Sequence, residues 1–267
     1  MTTKLFRIIT LTVAAVILSK QLSAVIAPLN QNIIQVAQID WCPQICPKGK
    51  PAGYIVDIVK TVFKDSPYKL EFQTLPWSRA IIRVRTGAVT ALLSPAKKEA
   101  PDLLFPKEAI GLQRMCFYVQ KGSKWKYTDE SSLAGLQIGI ATDTSIEELN
   151  NYIKKHPTQF HYMPYTKDYV PLSLRMLDIG RFDAFIFTYN STKFTMRHLE
   201  LENRIQAAGC VSSAPLYMAF SPKTSEPDTL KSMMAFYDQR MEYLKKTGVI
   251  SDIMASYGLP DWTKTTP

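Results

Sequence analysis

Hydrophobic and polar positions along the chain fall into short blocks that switch between two spacings. Ile34 to Ile39 is a brief apolar run ended by Asp40, the pattern of a buried strand. Ile55, Ile58, Val59 and Val62 then recur at i, i+3, i+4 and i+7, on one face of a helix opened by Gly53. Leu70 to Leu75 alternates like a strand. Pro76 suits the first turn of a second helix through Trp77, Ala80, Ile81 and Val84, with Gly87 as its stop. Val89 to Leu93 is a further strand. The order β-α-β-α-β predicts a parallel sheet covered by helices.

The same order then returns. Leu136 to Ala141 reads as a strand, and Thr144 or Ser145 caps a helix with Glu147 and Glu148 in its first turn. Phe160 to Met163 is a short strand. A helix through Leu172, Leu174, Leu177 and Ile179 ends at Gly180, and Phe182 to Phe187 is the next strand. Gly87-Ala88-Val89-Thr90-Ala91 and Gly180-Arg181-Phe182-Asp183-Ala184 join helix to strand with equal Gly-to-Ala spacing. Two extended segments, Met115 to Gln120 and Gly209 to Ser221, are placed to connect the halves. Leu230, Met233, Met234, Tyr237, Met241 and Leu244 form a helical stripe that reads as core packing. Ile250, Ile253, Met254 and Tyr257 form another. The expected fold is α/β with two lobes, each a mainly parallel sheet covered by helices, joined by two hinge connections.

The N-terminus stands outside this pattern. Lys4 and Arg7 precede the uncharged apolar run Ile8 to Leu18, too short to span a bilayer comfortably. Residues 1–24 are expected to be a signal peptide for the periplasm, cleaved after Ala24 or, alternatively, Ala27; a retained anchor is the other reading. Cleavage at Ala24 removes Lys4, Arg7 and Lys20 and lowers the formal net charge from +9 to +6. The remaining bases are scattered rather than clustered with aromatics, which argues against nucleic acid as a partner. A basic surface mildly favours anionic ligands by steering. With 17 prolines, 11 glycines and 46% hydrophobic residues, the remainder reads as a globular chain with many turns.

Four cysteines in an exported chain can oxidise. Cys42 and Cys46 flank a proline-restrained loop, Trp41-Cys42-Pro43-Gln44-Ile45-Cys46-Pro47, and are expected to pair. None of His156, His161 and His198 lies at metal-ligand spacing from a cysteine, so no metal site is expected. Cys116 and Cys210 lie in the two connecting segments, where they can approach each other.

Together these residues resemble the family 3 extracytoplasmic solute-binding proteins. The resemblance rests on the signal peptide, Gly53-Tyr54-Ile55-Val56-Asp57-Ile58, Pro76-Trp77-Ser78-Arg79-Ala80, Ser94-Pro95-Ala96-Lys97-Lys98 and Phe105-Pro106. Phe117-Tyr118-Val119, Gly180-Arg181-Phe182-Asp183-Ala184 and Lys246-Thr247-Gly248 add to it. It implies a type II periplasmic binding fold, a monomer without cofactor, and capture of a small polar molecule (amino-acid-like, amine or carboxylate) for an inner-membrane ABC permease. A subunit that reports ligand to a membrane receptor would use the same clamp. The expected divisions are 25–116 for the first part of lobe 1, 117–210 for lobe 2, and 211–267 for the return to lobe 1 with C-terminal helices.

Open α/β sheets bind ligands at the carboxyl ends of their strands. That rule selects Trp41 after the first strand, Trp77 and Arg79 after the second, and Ser94 after the third. In the other half it selects Thr144 and Ser145 after the fourth strand and Thr188, Tyr189 and Asn190 after the sixth. Trp41, Trp77 and Tyr189 offer flat walls for a ring or a cation. Arg79 offers a planar fork for carboxylate or phosphate, and Thr144 and Ser145 a helix start for an anion. In amino-acid-binding members an arginine after the third strand clamps the α-carboxylate; Lys98 stands nearest that place here. An aspartate after the sixth strand usually holds the α-amino group, where this chain has Phe187-Thr188-Tyr189. These departures argue against an ordinary α-amino acid and for a less zwitterionic ligand. A dehydratase-like enzyme on the same fold would need a positioned acid or base, and Glu71, Asp102 and Asp183 form no evident pair.

Overall fold

Two sheets with the same internal order organise the chain. The computed structural model describes residues 33–49, 51–142, 146–223 and 226–264. The signal peptide with its cleavage sites, and Thr144 and Ser145, lie outside the described residues. The first sheet has the order β2(Lys69–Thr74), β1(Ile33–Gln38), β3(Ala91–Leu93), β9(Met218–Phe220). The second has the order β6(Phe160–Met163), β5(Ile138–Ala141), β7(Ala184–Thr188), β4(Gly111–Gln120), β8(Ile205–Leu216). In each, the first strand of a β-α-β-α-β run lies between the second and the third, and a strand arriving from the other end of the lobe pairs antiparallel with the third. β1 runs parallel to β3 and β5 parallel to β6 and β7, while β9 is antiparallel to β3 and β4 to β7.

The recurrent Gly-to-Ala spacing has a physical reason. Gly87 and Gly180 carry positive φ angles of 81° and 72°, a conformation that costs a glycine little. They end α2(Trp77–Arg85) and α4(Tyr169–Asp178), and in both halves the following strand begins at the alanine four residues on. Gly53 has a different role. A Cβ there would stand 2.5 Å from the Gln44 carbonyl oxygen, so only glycine lets α1(Tyr54–Val62) start against that backbone.

Burial follows the sequence pattern. Ile55, Ile58, Val59 and Val62 are buried under the first sheet together with Met233, Tyr237 and Met241 of α6(Pro227–Lys246) and Met254 of α7(Val249–Ser256). The second sheet is covered on both faces. Met115, Phe117 and Val119 of β4 pack on one side, and Cys116 and Tyr118 on the other, as the two-residue strand period requires.

Several boundaries differ from expectation. The divisions at 116/117 and 210/211 pass through β4 and β8. The chain crosses between lobes nearer Gly111 and Leu216, because Leu112 and Leu216 are buried in the first lobe's core. The helix expected from Thr144 or Ser145 is α3(Asn150–Lys155), and Glu147 and Glu148 lie in a turn before it. α5(Tyr189–His198), which the sequence reading lacked, starts directly from β7; its many polar residues hide the helical period. Both disulfides are present: Cys42–Cys46, and Cys116–Cys210 across the β4–β8 pair. No helix among the described residues is long and apolar enough to cross a membrane.

Candidate functional site

The carboxyl ends of all six core strands surround one cavity of about 970 Å³. From the first lobe, the β1 end contributes Ile39, Asp40 and Trp41, the β2 end Thr74 to Trp77, and the β3 end Ser94 and Glu99. From the second lobe, the β5 end contributes Thr142, the β6 end Pro164 and Tyr165, and the β7 end Phe187 and Thr188. Gln113 and Met115 of β4 form the floor where the chain crosses.

The first-lobe side is held rigidly. Trp41 N–H donates to the Ile45 carbonyl at 2.8 Å and Ile45 N–H returns a 2.9 Å bond to Trp41, while Cys42–Cys46 closes the same loop. Ser94 is buried with φ 64°, a left-handed conformation unusual for serine, and its N–H donates to the Tyr217 carbonyl at 2.8 Å. Glu99 accepts a 2.7 Å bond from Ala96 N–H. Burial raises the Glu99 carboxyl above its ordinary pKa and outweighs that bond. Across the cleft, Tyr165 remains 55% exposed and packs against Tyr169 and Phe187 at ring distances of 5.7 and 5.8 Å. Its phenol is raised by burial and then by the charge of Asp40 on the opposite lobe. Thr188 is 5% exposed, and its buried hydroxyl has no hydrogen-bond partner in the protein.

Four of the sequence-selected residues, Trp41, Trp77, Ser94 and Thr188, meet in this cavity. Arg79, Lys98 and Tyr189 do not. α2 starts at Trp77, so Arg79 lies about 200° further round the helix and is exposed to solvent. Lys98 reaches Glu147 of the other lobe at 3.2 Å, an exposed pair at the rim. Tyr189 turns away as the first residue of α5 and lies under the Arg114 guanidinium, 3.9 Å from the ring centre. These two line a separate narrow crevice with Gln44, Tyr54 and Asn190. There Gln44 Nε2 donates to Ser191 Oγ at 3.1 Å and Asn190 Nδ2 to Tyr54 Oη at 2.9 Å, bonds that link the lobes behind the cleft.

The sequence reading missed Asp40, Glu99, Gln113, Met115 and Tyr165. Tyr165 was within reach, because the strand-end rule applied to β6 leads two residues beyond Met163. The carboxylates named as catalytic candidates lie elsewhere. Asp102 pairs with Arg85 at 2.7 Å, and Asp183 accepts from Gln137 N–H at 2.8 Å.

A two-lobed α/β clamp with its cavity between the sheets is the fold of the periplasmic binding proteins. Solved structures bear this out. The probable amino-acid ABC transporter extracellular-binding protein of Bacillus subtilis is similar at 19% identity and a TM-score of 0.64, covering 84% of this chain and 97% of its own. The L-cystine solute receptor of Neisseria gonorrhoeae, unliganded and open, is similar at 13% identity and TM-score 0.63, with 88% and 98% covered. A histidine kinase sensor domain with similarity to periplasmic binding proteins gives 18% identity and TM-score 0.59, with 84% and 95% covered. No protein-family model matches the chain, and no curated protein matches it.

Proposed function

We propose that the protein is an exported solute-binding protein that closes its two lobes on a small molecule and performs no chemistry on it. The observation that carries this reading is the cavity to which all six strand ends contribute, open between lobes joined by β4 and β8. Such lobes close by a hinge, a motion for which periplasmic binding proteins are a standing example. Delivery to an inner-membrane ABC permease is the preferred role, supported by likeness to an ABC transporter's extracellular-binding protein. Reporting ligand to a membrane receptor is the second reading, favoured by the likeness to a kinase sensor domain. A thermal-melting screen of the purified protein against amino acids, amines, carboxylates and sugars tests the reading. A saturable rise in melting temperature with one chemical class is expected. No rise with any class would remove the clamp as the explanation of the cavity. Deletion of a neighbouring permease gene, followed by uptake of the stabilising compound, separates transport from sensing.

A further inference from the structure

We infer that the solute is an organic cation, an amine with a flat apolar body and no carboxylate to match it. The inference rests on the reading of the cavity as a solute site. The protein as a whole is basic, with a formal net charge of +9, yet the cavity inverts that sign. Its charged lining groups among the described residues are two carboxylates, Asp40 and Glu99, and no lysine or arginine joins them.

The nearby cations are engaged elsewhere. Lys98 pairs with Glu147, Lys97 lies 4.8 Å over the Tyr217 ring, and Arg114 stacks on Tyr189. The alternation of β4 turns Gln113 and Met115 toward the cavity and Arg114 to the opposite face. An anionic ligand entering here would meet two acids and lose water without gaining a counter-charge.

The apolar walls favour the same class. Trp41, Trp77, Tyr165 and Phe187 line the cavity, and the faces of such rings attract a cation, most strongly where water is excluded. Tyr165 stands exposed in the open cleft, where a ligand ring would cover it. Asp40 of the first lobe and Tyr165 of the second both line the cavity, so an ammonium between them contacts both lobes and favours the closed state.

Calorimetric titration of the full protein with three probes of one shape tests this: phenethylamine, 2-phenylethanol and 3-phenylpropionate. Phenethylamine should bind at least about tenfold more tightly than the other two. Asp40→Asn and Glu99→Gln should each weaken phenethylamine by about fivefold or more while leaving 2-phenylethanol unchanged, which also reports that the variants are folded. Glu71→Gln, an acid on β2 outside the cavity, should change neither. Preference for 3-phenylpropionate or 2-phenylethanol overturns the inference, as does unchanged phenethylamine binding in both acid variants. If none of the three binds but an amino acid or sugar raises the melting temperature, the cation assignment fails and the clamp stands. If nothing binds at all, both fail.

Discussion

The two walls of the cleft are made from the same β-α-β-α-β plan but equipped differently. The first lobe supplies both cavity carboxylates, Asp40 and Glu99, and both tryptophans, Trp41 and Trp77. The second supplies Thr142, Pro164, Tyr165, Phe187 and Thr188, none of them charged. Each wall also carries one disulfide in a different place. Cys42–Cys46 closes the loop that presents Trp41, whereas Cys116–Cys210 joins the long strands that connect the lobes. On the proposed reading, equivalent folds divide the work: one lobe recognises charge, the other covers the ligand and carries the disulfide between the connecting strands.

The disulfides give the largest test of that division. Cys116–Cys210 closes a loop of 94 residues and Cys42–Cys46 one of 4. On loop-closure entropy the first should stabilise by about 4–5 kcal/mol and the second by about 2 kcal/mol. Urea unfolding of Cys116→Ala/Cys210→Ala and Cys42→Ala/Cys46→Ala measures both. The second variant should instead lose more affinity for phenethylamine, because it frees Trp41. Equal stability losses, or intact binding without the short bridge, would show that the two bridges do not differ in role.

Next in size are the aromatic walls. Trp77→Ala should weaken phenethylamine by about 2 kcal/mol, the cost of truncating a buried anchor. Tyr189→Ala, which removes the platform under Arg114 but nothing in the cavity, should cost less than about 0.5 kcal/mol of affinity. Arg79→Ala should likewise leave affinity within about 0.5 kcal/mol, since the side chain is exposed and outside the cavity. Calorimetry on the three variants ranks them; a large loss at Arg79 would return the site to an anion-binding design.

The smallest effect concerns Glu99. Its folded-state pKa is raised by burial, so the folded protein holds this proton more tightly than the unfolded chain. Ionised Glu99 therefore costs stability above its folded pKa and costs nothing below the ordinary glutamate value. Glu99→Gln should raise the melting temperature slightly near pH 7, and the difference should vanish as the pH falls below about 4. A difference that grows in acid would contradict the sign.

The strand-and-helix plan was legible because buried periodicity is a local property. The strand Phe160–Met163, the helix face of Ile55 to Val62 and the repeated glycine stops all sit where the pattern placed them. The strand-end rule found the correct loops, yet it selects positions and not directions. Trp77 and Arg79 are two residues apart on one helix, and rotation alone sends one into the cavity and the other to solvent. Tyr189 lies outside the cavity at the head of α5, a helix rich in Asn, Ser and Thr that shows no clear apolar stripe. Glu99 and Asp40 could not be weighted beforehand. On the proposed reading, their weight comes from what stands away from the cavity, above all Lys98 paired with Glu147 and Arg114 on the opposite face of β4.

If the first lobe's acids and the aromatic walls hold an organic cation between the lobes, a crystal structure with phenethylamine will show it in place. The ring should lie between Trp77 and Tyr165, with its ammonium within about 3 Å of an Asp40 or Glu99 carboxylate oxygen. Phenethylamine seated outside this cavity, or inside it with the ammonium turned away from both acids, would contradict it.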